Sequence, residues 1–254
     1  MSVDHSQMRL GKAQPRHDDR TLRLSRYLTS DLVAPPRIDW AAPVKSWPML
    51  RNDELGDCTA AAAGHLIHAW SANNGAPVVL SDQQVVDAYS AITGYDPSDP
   101  STDQGAVELD VLNYWKRTGI AGHKIAGYVA LSPRNREHIA LSIDLLGGCY
   151  LGVALPVSAQ TQEVWDVPEG GAVGDGAPAS WGLHAVPALN YGPAGITIVT
   201  WGQLKTLTWS FFDAYVDEAY GVLSAADWAQ GGTKTAPSGF NLAQLQEDLR
   251  AIAG

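Results

Sequence analysis

The sequence predicts an α+β protein with two lobes, a helical first half and a β-rich second half. Three observations carry that expectation. Between residues 57 and 146 apolar residues recur at helical spacing, whereas from Cys149 onward the period drops to two. Elements of one kind followed by elements of the other are the pattern of segregated layers rather than of an alternating α/β fold. The chain has 254 residues, 45% of them hydrophobic, enough for one large domain or two intimately packed lobes.

Residues 1–36 are polar and carry Arg9, Arg16, Arg20, Arg23 and Arg26 before ending in Pro35-Pro36. They read as an extended arm with a short helix around Thr21–Leu28, able to cross a cleft or dock on a partner. The first long helix runs from about Asp57 to Ser71, with Gly56 permitting a turn, Asp57 as N-cap and four alanines propagating it. Asn73-Asn74-Gly75-Ala76-Pro77 ends it. Ser81 caps a second helix to about Thr93, and Gly105 leads into a third, Ala106–Thr118, closed by Gly119. Arg134–Leu146 gives a fourth. Strands are expected at Cys149–Leu155, His184–Asn190, Ile196–Trp201, Leu204–Trp209 and Ala219–Leu223, with Gly170–Trp181 a long loop. Beyond Trp228 a Gly/Thr/Pro-rich linker leads to an amphipathic helix, Leu242–Ile252, so residues 229–254 form a tail suited to an oligomer or partner contact.

Composition narrows the function. The net charge is −10 with no Lys/Arg-rich run, which disfavours nucleic acid as a partner, since phosphates need a cationic face. No apolar stretch reaches the roughly 20 residues that span a bilayer, because Gly147-Gly148 and Pro156 interrupt Leu141–Pro156. The first residues are polar rather than signal-like. With only Cys58 and Cys149, the chain suits a reducing, cytoplasmic compartment. Cys149 lies in an apolar strand and reads as inert core.

Cys58 falls in the first turn of its helix, where unpaired N–H groups and the helix dipole favour a thiolate. The adjacent Asp57 opposes this. Far downstream, His184 heads an apolar run that ends in Tyr191-Gly192. A Cys at a helix start and a His at a strand start, close to the roughly 130-residue separation of one family of thiol enzymes, is the layout of a nucleophile and its base. His65 and His68 share that helix but have no Cys/Asp/Glu cluster at ligand spacing, so no metal is expected. No phosphate loop or dinucleotide fingerprint follows a strand, so no cofactor is expected either. Asn190 shares a strand face with His184 but lies about 20 Å along the strand.

Together these segments resemble the papain-like cysteine peptidases. Ile38-Asp39-Trp40 is similar to the opening of the mature enzyme in that family, Leu80-Ser81-Asp82-Gln83-Gln84-Val85-Val86-Asp87 to its "LSEQ-LVD" helix, and Thr200-Trp201-Gly202 to its "NSWG" motif. The likeness covers roughly residues 37–225. It implies a papain-like domain over 37–228, a helical lobe at about 55–146, and an antiparallel β-barrel-like lobe at about 147–225. The site would lie in the cleft between them. It implies a Cys58–His184 pair facing each other for acyl transfer on a peptide or protein. Asn52 stands where the family has its oxyanion-hole glutamine, one methylene shorter. The residue that orients the His is Val199 when aligned on Trp201, which cannot accept a hydrogen bond, or Thr200 when aligned by distance from the His, which can. The departure at that position leaves a second expectation, a weakened or inactive papain fold used as a structural or binding module. Leu-Gly-Asp-Cys with Val-Thr-Trp-Gly also resembles papain-like proteins of bacteria and their phages, which would make the partner a virion or capsid.

Overall fold

The computed structural model describes residues 4–225 and 240–252. Its elements run β1 (Ile38–Asp39), α1 (Cys58–Asn73), α2 (Asp82–Thr93), α3 (Glu108–Arg117), β2 (Ile125–Ala130), α4 (Arg136–Leu146), β3 (Cys149–Leu155), β4 (Gly182–Gly192), β5 (Gly195–Thr200), β6 (Gln203–Thr208), α5 (Trp209–Tyr215), β7 (Val216–Ser224) and α6 (Leu242–Ala251).

The strands form one open antiparallel sheet in the order β2-β7-β3-β4-β5-β6, with β1 paired to the end of β4. Thus β2, within the span expected to be the helical lobe, joins the strands of the second half. The sheet does not close into a barrel, because β2 and β6 remain edges. Two buried clusters flank this sheet. One gathers α4, α5 and α6 with the strand residues Leu151, Val153, Val186 and Ile198; the other joins α1, α2 and α3 to Tyr150, Leu189, Val199 and Val222. Strand residues alternate between the two clusters, as the two-residue period requires.

The helices follow their local signals with a few differences. Ser81 closes a capping box with Gln84, and Gly94 ends α2 in the left-handed region, φ 80°. α1 is buried along nearly its whole length, which explains its alanines: small residues let a helix pass between layers. Asp57, expected as its N-cap, makes no capping hydrogen bond; it is buried and takes the Asn52 amide instead. α3 begins at Glu108 rather than Ala106, because Ala106 is paired to the arm. The short helix expected at Thr21–Leu28 is a single 3-10 turn, Leu24–Tyr27, with Leu24 fully buried. The last expected strand residue, Trp209, instead starts α5, capped by Thr208. The linker expected after Trp228 lies outside the described residues. Among the described residues no helix is long and apolar enough to cross a membrane.

Candidate active site

α1 points its first residue, Cys58, at β4. Tyr150 fixes that end of the helix from β3, its hydroxyl donating to the Thr59 carbonyl at 2.7 Å. Asp103 fixes the turn before it, accepting from the Gly56 N–H and the Tyr89 hydroxyl. His184 pairs with Val153 in the sheet and is fully buried. Its Nε2 lies 2.8 Å from Thr200 Oγ1, and its ring stacks on Trp201 at 4.8 Å between centroids. Val199 turns to the other side of β5, into the helical cluster. A threonine hydroxyl both donates and accepts, so unlike an amide oxygen it permits either imidazole tautomer.

Backbone at Ala185, the residue after His184, and at Gly11 of the N-terminal arm lies near the sulfur of Cys58 and favours its thiolate. Nδ1 of His184 has no hydrogen-bond partner, so sulfur and ring are not bonded to each other in this conformation. Burial is the largest influence on both groups. It pushes the thiol up to about 12 and the imidazole down to about 3, leaving both neutral near pH 7. Asn52 Nδ2 donates to Asp57 Oδ1 at 3.3 Å, so its amide is engaged within the turn. Burial also raises the Asp57 carboxyl well above the usual range.

The cover over Cys58 is the arm. His5 stacks on Trp201, and the Trp201 indole N–H donates to the Arg9 carbonyl at 3.4 Å. Gly11, Lys12 and Ala13 then cross the cleft as a strand. On one side the Ala106 N–H donates to Gly11 O and the Ala13 N–H to Ala106 O, each at 2.8 Å; on the other the Lys12 N–H donates to Leu183 O at 3.2 Å. Room for this crossing comes from glycines. A Cβ on Gly105, whose φ is 73°, would stand 2.1 Å from Gly11 O. The arm then runs on to β2, where the Ala130 N–H donates to Leu22 O. Lys12, Glu108, Asp217 and Glu218 are the residues at this cleft that sequence reasoning missed. The available signal was acids interrupting otherwise apolar elements: Glu108 at the head of α3 and Glu218 within β7.

Other candidates have structural partners. His65 Nε2 meets the Pro48 carbonyl at 2.9 Å, and Asn190 Oδ1 accepts from the Ala41 N–H. Cys58 and Cys149 are both free and buried. Among the described residues no group of three or more His, Cys, Asp or Glu is arranged to hold a metal.

The buried imidazoles make stability depend on pH. Burial holds His184 at about 3 and His65 at about 4, against 6.5 in the open chain. The unfolded state therefore binds protons first as pH falls. The stability these two residues contribute is complete above about pH 6.5 and declines below it, by about 3 kcal/mol for each by pH 4. Urea unfolding of the parent and of a His65→Gln chain from pH 7 to pH 4 tests this. Their difference isolates an imidazole from the buried acids Asp57 and Glu108, which act in the opposite direction. A difference that is level with pH would contradict it.

No protein-family model matches the sequence, and no curated protein does. Solved structures do match in shape. Xylellain, a cysteine protease from Xylella fastidiosa, superimposes with a TM-score of 0.66 at 13% identity, over 86% of this chain and 97% of that one. Procathepsin B from Trypanosoma congolense gives 0.57 at 10% identity, over 87% and 88%. A cysteine protease of Carica candamarcensis, solved in complex with E-64, gives 0.52 at 17% identity, over 74% and 98%. The fold of this chain is papain-like.

Proposed function

We propose that this chain is a thiol hydrolase acting on peptides, held latent by its own N-terminal arm. The observation that carries the reading is the arm crossing: an extended peptide lies over Cys58 with backbone hydrogen bonds from both cleft walls. In the open cleft, Cys58 Sγ adds to a peptide carbonyl carbon while its proton passes to His184. Collapse of the adduct expels the amine, which leaves with the proton from His184. Water, giving a proton to His184, then adds to the thioester carbonyl; the C–S bond breaks, the peptide leaves as a carboxylic acid and the proton returns to the sulfur. The N–H groups at the head of α1 suit the developing oxyanion, joined by the Asn52 amide once it turns from Asp57.

Because His184 protonates the leaving amine, the C-terminal half of a cleavable peptide lies on the Trp201 side and its N-terminal half beside Ala106. The arm runs the other way, with His5 to Leu10 on the Trp201 side and Lys12 and Ala13 beside Ala106. Its Gly11 carbonyl is also taken by the Ala106 N–H. Both features account for an arm that blocks without being cut.

A second reading, a papain fold that binds peptides without cleaving them, is favoured by the neutral thiol and the missing sulfur–imidazole hydrogen bond. One experiment separates the two. With the arm displaced by Gly11→Val, the hydrolase reading expects cleavage of peptidyl-coumarins that Cys58→Ala in the same background abolishes. Should Cys58 in the displaced chain stay unreactive to iodoacetamide below pH 9, binding without chemistry is what remains.

Thr200 is a positioning residue in this scheme. Thr200→Val leaves Nε2 of a fully buried ring unpaired, at about 1–3 kcal/mol in stability. In the arm-displaced chain kcat falls roughly tenfold or more with KM little changed, since a misheld imidazole harms proton transfer rather than binding. Thr200→Ser restores both. An unchanged kcat would assign Thr200 to packing alone.

A further inference from the structure

Beside the covered thiol lies a pocket in which one ammonium pairs with two carboxylates and feels the charge of a third acid. The Lys12 side chain is fully buried, with Nζ 3.1 Å from Asp217 Oδ2 and 3.2 Å from Glu218 Oε2. Glu108, in the first turn of α3, is also fully buried, and neither of its oxygens has a hydrogen-bond partner. The floor is Gly152 of β3, where a Cβ would stand 2.2 Å from Lys12 Cε, 2.7 Å from Asp217 Oδ1 and 3.0 Å from Glu108 Oε1. The glycine therefore makes the space, and α3, β3 and β7 each supply a wall.

Buried acids are costly unless a cation answers them. Here neither lobe supplies it. The cation comes from a strand held in the cleft by three backbone hydrogen bonds, one residue along from the Gly11 backbone at the sulfur. When the arm leaves, the acids lose their counter-ion, and the chain best placed to restore it is the peptide that replaces the arm.

We infer that this pocket selects a basic side chain, so that peptides taken by the cleft carry Lys or Arg immediately before the residue whose carbonyl faces Cys58. The position of the attacked bond rests on the hydrolase reading; the preference for a cation does not. An arginine fork can engage Asp217 and Glu218 together, so both cations are accepted. Norleucine, equal to lysine in length but uncharged, is not.

The test uses the full chain carrying Lys12→Glu, which sets a fourth carboxylate in the pocket and expels this part of the arm. A melting curve checks that it folds, and Gly11→Val/Lys12→Ala is the alternative route to an empty pocket. Fluorescein-labelled Gly-Gly-X-Gly-Gly peptides, with X as Lys, Arg, norleucine or Glu, are titrated by anisotropy. Lys and Arg are expected to bind at least about tenfold more tightly than norleucine, a gap of about 1.4 kcal/mol. Adding Glu218→Gln should close most of it. Equal affinity for Lys and norleucine overturns the inference, as does a gap indifferent to Glu218→Gln. Coumarin substrates of the same series separate the two proposals. Selective binding without cleavage removes the hydrolase and keeps the pocket, while cleavage blind to the basic residue does the reverse.

Discussion

Gly11→Val accelerates alkylation of Cys58 by iodoacetamide at pH 7.5 by about 100-fold or more. A Cβ at Gly11 would stand 1.9 Å from Gly56 O and 2.3 Å from Gly56 Cα. Backbone atoms at the head of α1 cannot yield as a flexible side chain would, so the arm leaves the cleft instead. Water then reaches the sulfur, removing the burial that pushes its pKa to about 12. Each unit by which the pKa falls toward the usual 8.5 gives about ten times more thiolate at fixed pH, so three units would supply up to about a thousandfold. Gly170→Val, at a glycine with open space around it, serves as the control and leaves the rate unchanged. Equal alkylation of the Gly11→Val and parent chains, read by mass spectrometry, would mean that something other than the arm covers Cys58.

Trp201→Ala lowers the melting temperature by about 10 °C. Trp201 is 3% exposed. It stacks on His184 and on His5, and meets Trp165 edge-on at 6.0 Å. Truncating such a residue costs about 3–5 kcal/mol, and a chain of this size loses about 2–4 °C per kcal/mol. The backbone makes the same point. Trp201 and Gly202 link β5 to β6 with φ of 46° and 70°, a turn in which Asn or Gly is the usual first residue. An indole is held there against its conformational preference by what it covers. Opening that face also admits water to His184, so its pKa climbs from about 3 toward 6.5. Histidine proton resonances followed from pH 3 to pH 8 read that change. Trp201→Phe restores part of both effects. A melting temperature within a degree or two of the parent would dismiss the shielding role.

The helical half was legible because its signals are local. Ser81 with Gln84, the alanine run and the apolar spacing of α2 each declare themselves within one or two turns. The strands from Cys149 onward announced themselves through alternation, and His184 stood out as a polar residue opening an apolar strand. What escaped depended on partners distant in the chain. β2 was missed because Gly127 breaks its short pattern, and that glycine is there for Leu249 of α6, whose side chain a Cβ would meet at 2.6 Å. α5 was hidden because Trp209 continues the apolar rhythm of β6 before Thr208 turns the chain. The arm takes the first of its two expected roles and crosses the cleft, while the tail, expected as a contact for other molecules, packs on its own chain: Leu245 and Leu249 of α6 are covered, and Asp248 accepts from the Tyr27 hydroxyl. Lys12 gave no sign of burial, since its three acids lie 96 to 206 positions further on.

That sequence separation orders events during folding. The segment from Gly11 to Ala13 closes against Ala106, Leu183 and Asp217, so its docking must wait until the chain has been made at least as far as Asp217 and both layers are built. Every newly made molecule therefore passes through an interval with its groove vacant. The strand is laid last across a finished body, and a ligand present during maturation must compete with a tethered segment whose effective concentration is high.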